Sequence, residues 1–440
     1  MFSWFSRIIS VVIMLFCSTF STYGDTTKFQ VILKPLPSVL MTDIIQSAID
    51  SCAQQGGGSI VFTKGTYLSG SIQLKSNITL HLEASALLQG SDKYSDYRND
   101  AFLFGKDITN ITIEGKGIID GVDCYNPRGE EGFRGPHCIR LINSMNISIK
   151  GITIKNSANY AIYCRYCSNA TIDSVVIRGG HDGLHTRFGK NFKVTACDFR
   201  TGDDAFAGND NQDILVTDCK INTSCNGFRM GCYNFTVKHC KIWGPGEYAH
   251  KIRGQKKMPA AFVHFSPRDE NPQLKSGNWL IQDITIDSVE YVYLYNYENG
   301  LWQTGQVATS ITFDSIRANG ILKAFDITGD SALQFGLTIL NSSFSFREGS
   351  IDTAKSVERT VFASPAFFNA KNFNKIEIHN VTFTKTGMFP ILNINSGNDL
   401  LLDRVAFNTG NNSVPFLFDK IKEIKKTDLT FDFYKPKVNQ

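Results

Sequence analysis

Three aspartates, Asp182, Asp203 and Asp204, are the side chains in this sequence best suited to chemistry. In acid–base hydrolysis one carboxylic acid protonates a leaving group while ionised carboxylates activate water. Carboxylates brought that close repel one another, so at least one is expected to hold a proton near neutrality. Asp-Gly and Gly-Asp-Asp also occur in ordinary turns. A turn accounts for one such aspartate but not for three brought into register.

Register is what the chain around them supplies. Short β-rich units opened by Asn or Asp recur at Asn77, Asn110, Asn146, Asn169, Asn191, Asp213 and Asn234, with weaker copies at Asp283, Ser310, Asn374 and Asn380. From 169 to 191, 213 and 234 the steps are 22, 22 and 21 residues. Asn tolerates the left-handed backbone of a tight turn, and branched residues suit the strand that follows. Coils of this length stack about 4.8 Å apart, which predicts an all-β, single-domain right-handed parallel β-helix. Six residues on from Asn191, Asp213 and Asn234 lie Cys197, Cys219 and Cys240, a column of small buried side chains. Thirteen residues on from Asn169, Asn191 and Asp213 lie Asp182, Asp204 and Asn226, so the two aspartates are expected on adjacent coils with Asp203 beside them. Glu247 has the same offset from Asn234 and could join them.

The first coil needs a cover. Residues 42–54 place Ile44, Ile45, Ala48, Ile49 and Cys52 on one helical face, with Thr42 or Asp43 as cap. Such a helix closes the open end of a solenoid core. Ahead of it, Arg7, the apolar run Ile8–Phe16 and the polar residues up to Gly24 have the order of a secretory signal peptide. The expected division is a signal peptide over 1–24 and one β-helix domain over 25–440, exported to a periplasmic or extracellular location. Bulky Phe16 before Cys17 speaks against lipidation. A net charge of +4 is too small to argue for nucleic acid or a membrane surface. No later stretch is long and apolar enough to span a membrane. Ten cysteines follow Cys17, and Cys164/Cys167 and Cys225/Cys232 could be bridged, but the columns favour inert thiols and no spacing suits a metal.

Gly179-Gly-His-Asp-Gly-Leu-His-Thr-Arg187 and Gly202-Asp-Asp204 resemble motifs of polygalacturonases, the pectin-cleaving glycoside hydrolase family 28. The segments beginning at Ala48, Lys64 and Asn77 are similar to the same family. The resemblance implies that Asp203 protonates the glycosidic oxygen while Asp182 and Asp204 hold and deprotonate water. It implies inversion, with carboxyls well separated to leave room for that water. The family's Arg-Ile-Lys, which grips the sugar carboxylate, has Lys251-Ile252-Arg253 as its counterpart, and on a strand both charges would face one way. Where the family has Gly-His-Gly this chain has Cys225-Asn226-Gly227, and Asn226 can hydrogen-bond but cannot titrate. His181 and His185 flank Asp182 and could take over that role.

These readings give an exported O-glycosyl hydrolase acting on an acidic, pectic glycan, working as a monomer without cofactor or metal. Two alternatives stay open: a lyase or epimerase on uronate-containing glycans, and a non-catalytic glycan-binding β-helix. Tyr291, Tyr293, Tyr295, Tyr297 and Trp302, with Phe262 and Phe265, could fill the core or line sugar subsites.

Overall fold

A computed structural model describes residues 29–267, 270–297, 307–347, 366–385, 390–409 and 415–433. The expected signal peptide and Trp302 lie outside the described residues. The chain divides into two compact units, Met1–Tyr163 with Cys167–Val176, and Cys164–Tyr166 with Ile177–Gln440. Both are stacks of parallel strands, and the architecture is the parallel β-helix. No helix among the described residues is long and apolar enough to cross a membrane.

In the first unit the strands Gln30–Leu33, Gly58–Phe62, Ile78–Leu82, Thr109–Gly115, Met145–Lys150 and Ser168–Asp173 pair in that order. The turn-opening residues Asn77, Asn110, Asn146 and Asn169 have φ of 62, 56, 57 and 54°. Asn pays little for this left-handed backbone. Their side chains also form an amide ladder: Asn110 Nδ2 donates to Asn77 Oδ1 at 2.8 Å, Asn146 to Asn110 at 2.9 Å, and Asn169 to Asn146 at 3.2 Å. The helix α1 (Thr42–Gln54) buries Ile45, Ala48, Ile49 and Cys52 against the strand Gly58–Phe62. Ile44, expected on that face, is exposed. Neither Thr42 nor Asp43 is the cap: Met41 holds that position, and Thr42 Oγ1 instead accepts the Gly70 N–H at 2.8 Å.

The second unit carries the central strands Leu184–Arg187, Phe206–Thr217, Asn226–Lys238, Ala260–His264, Tyr291–Asn296 and Lys323–Thr328, again paired in order and in parallel. Lys190 faces Gln212 and Gln212 faces Tyr233, so Asn191, Asp213 and Asn234 fall on one column as expected. Asn278, and not Asp283, continues it: its Nδ2 donates to Asn234 Oδ1 at 2.7 Å, while Asp283 lies beside the column on Ser276–Asp287. The long step from Asn234 to Asn278 hides this continuation from a fixed period. Cys197, Cys219 and Cys240 are all buried, and the Cys219 N–H donates to Cys240 Sγ at 3.4 Å. Cys225 and Cys232 carry free thiols, so the bridge allowed between them does not form. Cys167 is a thiol whose Sγ donates to Leu141 O at 3.4 Å.

Aromatic rings fill the core of this unit. Phe206, Phe228 and Phe262 stack on successive coils with centroids 4.6 and 4.9 Å apart. Tyr291, Tyr293 and Tyr295 are buried too, so these tyrosines are core and not cleft, while Tyr297 is half-buried. Each ring pair adds about 0.5–1.5 kcal/mol beyond area burial. Phe228 is fully buried and meets Phe206, Phe235 and Phe262. Phe228→Ala is therefore expected to lower stability by about 3–5 kcal/mol in urea unfolding; a loss below about 1 kcal/mol would show that the stack contributes little.

Candidate active site

The strand register brings the predicted aspartates together. Leu184 faces Phe206, so Asp182, two residues earlier, lies on the same column as Asp204. The Gly183 N–H donates to Asp204 O at 2.9 Å, and the Ala205 N–H to Asn226 O at 3.0 Å. A Cβ on Gly183 would sit 2.5 Å from Ala205 O, which explains the glycine after Asp182. Asp203 is fixed through its carbonyl, which accepts Thr201 Oγ1 at 2.7 Å and also the Thr223 hydroxyl from the next coil.

One carboxylate oxygen from each of Asp182, Asp203 and Asp204 lies within 4.8 Å of the other two. This is tighter than the well-separated arrangement the resemblance implies. The stacking itself sets the spacing, since adjacent coils are about 4.8 Å apart.

A cation and hydrogen-bond donors answer the crowding. Arg229 Nε donates to Asp204 Oδ2, and its guanidinium lies 4.2 Å from the Phe265 ring centroid. Burial works against the Arg229 charge, but the carboxylates of Asp204 and Asp182 outweigh it and hold the guanidinium above its ordinary range. Asp204 Oδ1 accepts the backbone N–H of Asn226 at 3.1 Å and its Nδ2 at 2.8 Å. Both oxygens of Asp204 are thus engaged. Asn226 is fully buried, and its own Oδ1 has no hydrogen-bond partner among the described residues.

Asp182 is 3% exposed, and its Oδ2 lies 2.8 Å from His185 Nδ1. Burial and then the Arg229 charge push the His185 imidazole down to about 3, against the pull of Asp204, Glu270 and Asp203. His185 is therefore neutral and donates its Nδ1–H, a hydrogen bond and not an ion pair. His181 is buried, and its carbonyl accepts the Asp203 N–H at 3.4 Å. Asp203 is the most open of the three, with a half-buried side chain.

Other expectations change. Glu247 does not join the aspartates: it forms a two-pronged pair with Arg200 at 2.8 and 2.9 Å. Lys251, Ile252 and Arg253 form an exposed turn and not a strand, so the alternation argument for their direction does not hold. Two side chains that meet the aspartates are absent from the sequence reading, Arg229 and His250. Arg229 was within reach of it: His185 faces Ala207 and Ala207 faces Arg229, two steps of 22 residues. His250 has no such signal, because it lies on the long segment between Trp243 and Ala260 that breaks the period, with Nε2 3.6 Å from Asp203 Oδ1.

Asp203, Cys225 and His250 also bring donor atoms within 4.8 Å of one another, a second set that could hold a cation. Burial and then the charges of Asp204 and Asp203 hold the Cys225 thiol well above its ordinary value, which opposes thiolate ligation. An open groove of about 790 Å³ in the first unit, bordered by His81, Glu114 and Asp173, contains none of these residues.

The His185 shift gives a sign that can be tested. Its folded-state value is depressed from 6.5 to about 3, so the unfolded chain takes up the proton first. That contribution to stability is present above about 6.5 and declines as pH falls through the window toward about 3. His185→Gln, with no proton to gain, is expected to lose less stability than wild type across this window, by up to about 1.4 kcal/mol per pH unit in urea unfolding. Parallel pH profiles for the two proteins would contradict a neutral His185.

Residues 52–244 match the family model described as glycosyl hydrolases family 28. Among curated relatives, a probable polygalacturonase of Vitis vinifera is 26% identical over 199 residues, covering 38% of this chain and 40% of that protein. An exo-poly-alpha-D-galacturonosidase of Dickeya chrysanthemi is 32% identical over 150 residues, covering 28% and 24%. The matches span 40%, 45% and 54% of the length of the Vitis vinifera, Nicotiana tabacum and Gossypium hirsutum relatives. Among solved structures, an exopolygalacturonase from Thermotoga maritima is 15% identical with a TM-score of 0.49, covering 92% of this chain and 91% of that one. The segment similar to glycosyl hydrolases family 28 contains Asp182, Asp203 and Asp204 on adjacent coils.

Proposed function

We propose that this chain is an exported glycoside hydrolase that cleaves an acidic, pectic glycan by single displacement with inversion. The observation that carries the reading is the cluster of Asp182, Asp203 and Asp204, with one oxygen of each within 4.8 Å of the others. Their surroundings differ enough to give each a role. Asp203, the most open, protonates the glycosidic oxygen as the bond to the anomeric carbon breaks. Water attacks that carbon from the opposite face and passes its proton to Asp182, whose partner His185 is neutral. Asp204, with both oxygens engaged by Asn226 and Arg229, holds the cluster together.

The short spacing favours a second reading. Retaining glycosidases keep their carboxyls about 5–5.5 Å apart and inverting ones about 6.5–9.5 Å. Against retention, the nucleophile would need a free carboxylate oxygen, and Asp204 offers none. Asp182 is the remaining candidate nucleophile for that route.

Proton NMR of freshly formed product decides between the two, the opposite anomer being expected under inversion and the same anomer under retention. Asp203→Asn is expected to remove turnover on pectic oligosaccharides by about 100-fold or more while leaving the melting temperature unchanged. Full activity in that variant would end the hydrolase assignment. Product gaining ultraviolet absorbance without added water would point instead to a lyase, and binding without cleavage to a glycan-binding protein. Lys251 and Arg253, exposed on their turn, are proposed to meet the sugar carboxylates. Lys251→Ala with Arg253→Ala is expected to raise KM for a uronate substrate several-fold with little change in kcat.

A further inference from the structure

Asn226 occupies the place where the family resemblance expects a histidine, yet a histidine reaches the acid from another direction. His250 lies on the segment between the strands Lys241–Trp243 and Ala260–His264. Its side chain is 6% exposed, and Nε2 stands 3.6 Å from Asp203 Oδ1. Nδ1 accepts the backbone N–H groups of Ile252 at 3.2 Å and Arg253 at 3.3 Å. A ring nitrogen that accepts carries no proton, so neutral His250 bears its hydrogen on Nε2, toward Asp203. The segment is closed on itself: the His250 N–H donates to Gln255 O at 2.8 Å, and the Gly254 N–H to His250 O at 2.7 Å. It also seats against the Gly-Asp-Asp turn, where a Cβ on Gly202 would lie 2.7 Å from Ala249 O.

We propose that His250 is a positioning residue for Asp203, acting in place of a histidine at position 226. The Asp204 N–H already donates to Asp203 Oδ1 at 3.0 Å, and His250 Nε2–H is aimed at the same oxygen. With the Asp204 N–H on Oδ1 and the imidazole N–H beside it, Oδ2 is the oxygen that carries the transferable proton. As that proton passes to the glycosidic oxygen, the carboxylate left behind is stabilised by the imidazole N–H. At 3.6 Å the contact is longer than a hydrogen bond, and it tightens once substrate fills the site, as catalytic contacts do. The turn Lys251-Ile252-Arg253 then also works through its backbone, as the clamp on the ring.

This proposal rests on Asp203 being the acid, and two measurements keep the two claims apart. In protein labelled with ¹⁵N-histidine, neutral His250 is expected as the Nε2–H tautomer, and Asp203→Asn should shift its ¹⁵Nε2 resonance. The other tautomer, or an Nε2 resonance unchanged by Asp203→Asn, overturns the pairing whether or not the protein turns over. In turnover, His250→Ala is expected to lower kcat about 10- to 100-fold on a glycan with a poor leaving group, with KM nearly constant. On an activated aryl glycoside, which needs no acid, the loss should stay below about threefold. His250→Gln, whose amide N–H can reach the same point, should restore most of the rate. An equal loss on both leaving groups overturns the role. A wild type that cleaves no glycoside fells the hydrolase reading alone, because the imidazole measurement still decides the pair.

Discussion

The second unit depends on one constraint: each coil hydrogen-bonds in parallel register to the next, about 4.8 Å away. A residue one period along the chain therefore lies over its predecessor whatever its chemistry. For asparagine this is favourable, as in the 2.7 Å bond from Asn234 to Asp213. For phenylalanine it gives the stack through Phe206, Phe228 and Phe262. For aspartate it brings like charges together. Two such charges about 5 Å apart repel by roughly 3 kcal/mol at an effective dielectric of about 20, so the stacking that positions Asp182 and Asp204 also requires an answer to their repulsion.

That answer is unevenly distributed, and the unevenness separates the three carboxylates. Arg229 and Asn226 both address Asp204, saturating its oxygens. Asp182 has a neutral imidazole, which donates a hydrogen bond without cancelling charge. Asp203 is fixed by its backbone, through the Thr201 and Thr223 hydroxyls, while its side chain stays the most open. One half-buried cation stabilises the group as a whole and pairs directly with Asp204, leaving Asp203 the most open of the three.

What could be read from the sequence is what the period controls. The coil, the cysteine column, the pairing of Asp182 with Asp204 and the place of Asn226 on the next coil all follow from steps of 21 or 22 residues. The same arithmetic reaches Arg229 from His185, but only when the outward-facing strand positions are followed as closely as the turn positions. Glu247 shows where period alone misleads: its offset is right, yet Arg200 captures it on the long excursion between Trp243 and Ala260. Lys251 and Arg253 lie on the same excursion, where the strand alternation used to orient them does not hold.

The departure from period is also where this site becomes asymmetric. From Asn226 to its partner Ala260 the chain advances 34 positions, 12 more than the 22 from Asp182 to Asp204. The extra residues form the excursion that carries Glu247 to Arg200, Ala249 to Gly202 and His250 to Asp203. A strictly periodic solenoid presents similar surroundings on every coil, and similar carboxylates cannot serve as acid and base at once. A group that comes from outside the repeat and meets only one of them adds to the distinction that Arg229 and Asn226 make from within it. In this chain the excursion supplies that group: it places an imidazole beside Asp203 and leaves Asp182 and Asp204 to partners drawn from the coils themselves.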